Sequence, residues 1–513
     1  MLKRVRQIIA VISIIMVTFL FVDFTGIAAR YLGWIAKVQF LPALLALNVG
    51  VIIFLLALTL VFGRVYCSVI CPLGILQDGF GWIGKKAKKN RYTYSKEKRI
   101  LRYVMLVLTV IAFIAGIASF VALLAPYSAY GRIASSLFAP IWDGCNNLLA
   151  DWAEKHESYA FYTVDTYIKG GITLGVAIVT FVVLFILAWR NGRTYCNTIC
   201  PVGTILSFFA RYSIFRPVID TKKCIDCKLC ERNCKASCIS IANGHQIDYS
   251  RCVTCFDCIE KCPKGAMTYT YRRPEKNVAS SVEGDQVKIS DADTKAEINA
   301  SSKTDVSRRG FLASGVAMAT VAMIEAKEKT TDGGLAVIEE KKIPNRKTPI
   351  VPPGAQGIRH LTRHCTACQL CISECPNDVL RPSTDVSMLM QPVSSYERGY
   401  CRPECTRCSN VCPTGAIIPL SRADKSSVQI GHAVWVKENC IPLTDGVECG
   451  NCARHCPTGA IMMVNSDPNN PESKKIPVVN TERCIGCGAC ENLCPARPFS
   501  AIYVEGHENH RII

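Results

Sequence analysis

Apolar positions in the first two hundred residues gather into long runs, and four of these, Val5 to Thr25, Leu41 to Phe62, Leu101 to Ala125 and Gly171 to Trp189, are long enough to cross a bilayer. A crossing helix takes about 20 residues, and four such runs in succession are rare in soluble domains. Beyond residue 215 the apolar runs shorten and polar, cysteine-rich segments take over. The pattern predicts an α-helical membrane domain of four transmembrane helices over residues 1–215, followed by soluble modules of the α+β kind built from short β-rich segments.

Charge sets the expected orientation. The connection from Arg64 to Arg99 holds nine basic residues, the one from Pro126 to Gly170 only Arg132, Lys155 and Lys169. By the positive-inside rule both ends of the membrane domain face the cytoplasm. The net charge of +18 is therefore read as topology, and no nucleic-acid partner is expected. Asp23, near the outer end of the first span, is a candidate proton acceptor but is read first as facing the headgroups, because its position is not deep.

The membrane domain contains a repeat. Residues 63–76 read GRVYCSVICPLGIL and residues 192–206 read GRTYCNTICPVGTIL, with both cysteines displaced by the same step. Cys67 with Cys71, and Cys196 with Cys200, are four apart and share a helical face, while Pro72 and Pro201 break or restart the helix. Four thiols can thus gather at the membrane surface as a catalytic redox or metal site, or simply pack there as small, weakly polar groups.

Thirty cysteines carry the strongest signal. Cys252, Cys255, Cys258 and Cys262, followed by Pro263, follow the C-x2-C-x2-C-x3-C-P run of bacterial [4Fe-4S] ferredoxins, in which the fourth cysteine serves the other cluster of a pair. Cys224, Cys227, Cys230 and Cys234 form the partner run, so Cys262 joins the first three of these and Cys234 joins Cys252, Cys255 and Cys258. Lys235 stands where the proline belongs, and Cys238 is an alternative to Cys234. Four more runs follow the same crossed rule: Cys365, Cys368, Cys371 with Cys412; Cys401, Cys405, Cys408 with Cys375; Cys440, Cys449, Cys452 with Cys494; and Cys484, Cys487, Cys490 with Cys456. Structural zinc uses separated knuckles or histidine and disulfide frameworks belong to short secreted chains. Neither explains cysteine triples ending in Cys-Pro. Six clusters use 24 cysteines and leave Cys67, Cys71, Cys145, Cys196, Cys200 and Cys238.

No histidine falls in an expected span and no C-x-x-C-H occurs, so no haem is expected. No Gly-rich nucleotide loop is evident, which disfavours direct NADH oxidation. Residues 216–273 are expected to form a ferredoxin module with two clusters and residues 274–306, rich in Ser, Asp, Lys and Glu, a flexible linker. Ser307-Arg308-Arg309-Gly310-Phe311-Leu312 opens an internal twin-arginine signal or anchor over 307–326. Residues 327–513 are expected to form a ferredoxin-type domain with four clusters.

These motifs carry a resemblance. Residues 1 to about 272 resemble NapH, a membrane ferredoxin-type subunit of periplasmic nitrate respiration, and those from about 305 onward resemble the MauM/NapG family. The resemblance implies a haem-free quinol dehydrogenase of the bacterial inner membrane, multi-pass, its first module cytoplasmic and its last periplasmic. Electrons would leave the quinone pool through the clusters to a periplasmic reductase, such as nitrate reductase, or a cytochrome. The alternative is a redox-dependent maturation or metal-handling factor for such a reductase, for which four extra clusters have less use.

Overall fold

The computed structural model describes residues 1–86, 92–242, 244–271 and 339–513. The linker at 274–306 and the twin-arginine segment at 307–326 lie outside the described residues.

Thirteen helices make the first two hundred described residues a bundle: α1 (Leu2–Val22), α2 (Ile27–Lys37), α3 (Phe40–Leu45), α4 (Val49–Phe62), α5 (Val65–Val69), α6 (Pro72–Lys86), α7 (Arg99–Ile114), α8 (Ala118–Leu124), α9 (Pro126–Ile133), α10 (Ala139–Lys155), α11 (Gly171–Asn191), α12 (Thr194–Thr198) and α13 (Pro201–Ala210). Among the described residues two helices, α1 and α11, are long and apolar enough to cross a membrane, at 21 residues each. The second and third expected spans are broken. Leu47 takes a left-handed conformation (φ 52°) and the Asn48 side chain caps α4 by accepting from Val51 N at 3.3 Å. Gly116, also left-handed (φ 76°), separates α7 from α8. Averaged hydropathy hides a single Asn or Gly, whereas the backbone obeys it.

The repeat is structural: α4–α5–α6 and α11–α12–α13 follow the same course, each long helix ending at a left-handed glycine, Gly63 (φ 76°) and Gly192 (φ 69°). After residue 214 the helices shorten and strands appear. In the first module β1 (Phe215–Ile219) pairs antiparallel with β4 (Met267–Tyr271), closing the segment end to end, and β2 (Ile239–Ser240) pairs with β3 (Gln246–Ile247). The C-terminal module has three antiparallel pairs: β5 (Leu380–Pro382) with β6 (Pro392–Ser394), β7 (Val428–Trp435) with β10 (Ile502–Ile512), and β8 (Ile461–Asn465) with β9 (Lys475–Val479).

The two modules sit at opposite ends of the bundle. At the near end Lys3, in the first turn of α1, pairs with Asp257 of the first module at 3.0 Å. At the far end, just past α1, Thr25 O accepts from Arg407 of the C-terminal module at 3.2 Å. At about 1.5 Å per residue, α1 separates them by roughly 30 Å. The far joint is completed by Ser135 Oγ donating to Gln369 Oε1 (2.8 Å) and Tyr167 OH to Asp378 (2.9 Å).

Lys235, the residue that replaces the usual proline, is the centre of the near joint. It pairs with Asp78 of α6 (3.5 Å) and Asp257 (3.1 Å), and its carbonyl accepts from Arg193 N at 2.8 Å. Asp78 also binds Arg6 and Arg193, each at 2.9 Å. Burial opposes its charge, but Arg193, Lys235 and Arg6 outweigh it and hold the carboxyl well below the usual range. The stabilisation is therefore present at neutral pH and lost on acidification below the ordinary carboxylate range. Asp78→Asn leaves buried Arg6 and Arg193 without a carboxylate and Lys235 with Asp257 alone, and the expected cost is about 3–5 kcal/mol, read as a lowered thermal midpoint and early proteolytic release of the first module.

Candidate cluster sites and the paired thiols

Four of the six cysteine runs share an unusual backbone. Residues on both sides of the second cysteine are left-handed: Asp226 and Lys228, Thr254 and Phe256, Ala367 and Gln369, Gly486 and Gly488. Non-glycine residues adopt this conformation at a cost, and alternating helical handedness turns successive N–H groups into a nest that cradles anionic groups, iron–sulfur centres included. The two runs with irregular first gaps, at Cys401 and Cys440, lack the pair.

Around these loops the cysteines converge. Cys224, Cys227, Cys230 and Cys262 line one cavity. Cys252, Cys255 and Cys258 line a second with Cys234 and Cys238. Cys375 joins Cys401, Cys405 and Cys408, and Cys494 joins Cys440, Cys449 and Cys452. Cys371 lies within electrostatic reach of Cys365, Cys368 and Cys412, and Cys487 within reach of Cys484 and Cys456, with Cys490 close to both Cys484 and Cys487. Backbone N–H groups donate to the sulfurs, as from Ala460 to Cys456 (3.2 Å) and Ala501 to Cys494 (3.3 Å).

Burial pushes the thiols of Cys255, Cys368 and Cys487 up to about 12, so thiolates there call for a positive partner. Four sulfurs round one zinc ion at about 2.3 Å would lie under 4 Å apart. Among the described residues the one trio of such ligands within 4.8 Å is Cys224, Asp226 and His245. The cysteine sets are spaced for something larger than one ion, which fits the cubane. Cys234 and Cys238 differ in kind. Their sulfurs are 3.4 Å apart, and the hydrogen bond from Cys238, with backbone N–H groups, lowers the Cys234 thiol to about 7, while Cys238 itself is raised.

The four paired thiols of the repeat also meet. Cys67, Cys71, Cys196 and Cys200 are all buried in the bundle core; Cys200 feels the charges of Cys196, Cys71 and Cys67, and Cys71 those of Cys196 and Cys67. A twofold-like exchange of arginines holds them. Arg64 donates to Cys196 O (3.1 Å) and Arg193 to Cys67 O (2.5 Å), each passing a glycine, Gly203 or Gly74, where a Cβ would collide with that same carbonyl. Arg64 Nη2 also reaches Cys67 Sγ at 3.7 Å, and Gln77 donates to Cys196 Sγ at 3.3 Å. Arg64 further bonds Asn197 (2.7 Å) and Ser250 O in the loop before Cys252 (3.1 Å), linking the thiols to the first module. Tyr66 and Tyr195, equivalent in the repeat, flank the site. Both arginines and tyrosines stand in the repeated Gly-Arg-x-Tyr-Cys, a signal the cysteine pattern overshadowed. Cys145 is exposed on α10, and Asp23, expected at the headgroups, is buried, accepting from Thr25 N (2.8 Å) and Ala28 N (2.7 Å) at the start of α2.

Comparison with known proteins agrees with this inventory. A 4Fe-4S binding domain model matches residues 44–91 and 173–221, the two copies of the repeat. A 4Fe-4S dicluster domain matches residues 447–497, and a further 4Fe-4S binding domain residues 252–266. An uncharacterized protein of Methanocaldococcus jannaschii is 38% identical over 100 residues, 20% of this chain and 39% of the relative. The putative electron transport protein YccM of Escherichia coli is 23% identical over 239 residues, 46% of this chain and 59% of the relative. The chain thus spans well under two thirds of the length of both. The methylamine utilization ferredoxin-type protein MauM of Methylobacillus flagellatus is 31% identical over 165 residues, 31% of this chain but 70% of the relative. No solved structure matches. Cysteine nests, iron–sulfur domain matches and the coverage of MauM together place the chain: it belongs to the MauM family of ferredoxin-type iron–sulfur proteins.

Proposed function

We propose that the chain is a membrane-bound, haem-free quinol dehydrogenase that passes electrons through six [4Fe-4S] clusters to a reductase or cytochrome outside the cytoplasmic membrane. The six ligand sets are those the cysteine spacing predicts, with Cys234 as the fourth ligand of its set and Cys238 its hydrogen-bond donor. The observation that carries the reading is continuity. Cys368 lies beside Gly131 of the bundle, Cys371 within reach of Cys408, Cys401 N bonded to Cys487 O at 2.9 Å, and Cys490 within reach of Cys452. Four neighbouring sets therefore lead from the far end of the bundle outward, as a wire needs and a one-site metal reductase does not.

The bundle suits a bilayer beyond its two longest helices. Ile8, Ile12, Ile15 and Phe19 of α1, Ile53 and Phe54 of α4, Val104, Val107 and Ile111 of α7, and Val179, Val183 and Ile186 of α11 are exposed, an apolar surface too large for water. Four crossings follow, two by helices broken in mid-run, with the first module cytoplasmic and the last periplasmic. The paired thiols form the redox link between the first module and the bundle.

When bound, the clusters accept and release single electrons, and the chain's part is to hold them in series and exclude water. Menaquinol added to the reconstituted protein under anaerobic conditions is expected to reduce the clusters, seen as growth of paramagnetic signals. Clusters that dithionite reduces and quinol does not would remove the quinol from this reading and leave the electron wire.

A further inference from the structure

A cleft of about 540 Å³ lies where the far end of the bundle meets the C-terminal module, a size typical of sites for small organic ligands. Phe24, Pro140 and Leu174 supply its apolar wall, while Ser135, Asp143 and Glu374 supply its polar one. Phe24 follows α1 and Leu174 lies in the first turn of α11, so the cleft sits at the ends of the two longest apolar helices, where a lipid-soluble molecule would arrive. The helix from α9 into α10 passes through a π-helical turn at Ala134–Phe138, a local widening frequent at functional sites, and Ser135 and Ser136 of that turn line the cleft.

Glu374 is 3% exposed, and neither of its carboxylate oxygens has a partner; the neighbouring Ser373 Oγ and Gln369 Nε2 are likewise unpartnered. Arg407 and Lys169, also in the cleft wall, act on Glu374 through their charge but give it no hydrogen bond, and a buried carboxyl without one is costly, so a hydroxyl-bearing ligand in the cleft would complete it. The next residue, Cys375, is in the cleft wall as well and joins the set of Cys401, Cys405 and Cys408.

We propose that this cleft binds the quinol, with a ring hydroxyl donating to Glu374. The inference rests on the quinol reading above, and it places the substrate at the far end of the bundle, away from the paired thiols at the near end. The balance is simple. Both quinol O–H bonds break and the ring becomes a quinone, its two electrons go singly to two oxidised [4Fe-4S] centres of the adjoining sets, and its two protons leave by way of Asp143 to water. Burial already raises the Asp143 carboxyl to about 6, which suits a group that takes and returns protons. With the substrate here, the wire runs outward without recrossing the bilayer.

The test is binding of 2-heptyl-4-hydroxyquinoline N-oxide, a fluorescent quinol analogue, to the full-length, cluster-loaded protein. Saturable quenching is expected in the unmodified protein. Ala139→Trp, which fills the cleft, and Glu374→Gln, which keeps its shape, should each weaken binding about tenfold or more, a change of about 1.4 kcal/mol per tenfold, with iron content unchanged. Unaltered affinity in both variants, or loss of binding in Cys67→Ser instead, overturns the cleft while quinol-driven cluster reduction still stands. Absence of both analogue binding and quinol-driven reduction in the unmodified protein overturns the cleft and the quinol reading together.

Discussion

Replacing Cys412 by alanine is expected to remove about four iron atoms from the chain, and to remove them from the set of Cys365, Cys368 and Cys371, not from its own run. The reciprocal variant, Cys375→Ala, should empty the set of Cys401, Cys405 and Cys408, beside which Cys375 lies. The reason is geometric. In each set one run supplies three cysteines, and the chain brings the fourth in from the partner run, as Cys262 comes to Cys224, Cys227 and Cys230. Because the sets are arranged in series, emptying the set at Cys401 should also stop electrons from the bundle end reaching the sets at Cys484 and Cys440. Cys145→Ala, at an exposed thiol outside every set, should lose no iron. Equal iron in Cys412→Ala and the unmodified protein would refute the crossed wiring.

Protease added to spheroplasts is expected to cut the module at residues 365–494 and spare the one at 224–262. On the proposed topology the basic loops keep the near end of the bundle in the cytoplasm, and α1, about 30 Å long, would span the hydrocarbon thickness between the two modules. On that topology export of the C-terminal module would use Arg308 and Arg309, so a double change to lysine should abolish cutting at the outer face. A tail protected in the unmodified protein would put all six clusters on one side.

How much of this was legible depended on whether the determinant was local. The convergence of the cysteines was legible from spacing because three members of each set lie within one segment, and the motif brings the fourth from the partner run. The repeat was equally open, since Gly-Arg-x-Tyr-Cys occurs twice. Helix breaks at Asn48 and Gly116 were missed because an averaged apolar run outweighs one residue. Lys235 looked like an irregularity in a motif, yet its purpose is an ion pair with Asp78, far away in sequence. Glu374 gave no sign at all. Its burial depends on α10, the loop at 156–170 and the C-terminal module arriving together, and no periodicity encodes that.

The central claim, that this chain carries electrons through six cubanes, is tested most directly by metal and sulfide analysis of anaerobically purified full-length protein. About 24 iron and 24 acid-labile sulfide per chain, with paramagnetic signals on reduction, is the expected result. Stoichiometric zinc with little sulfide would contradict it.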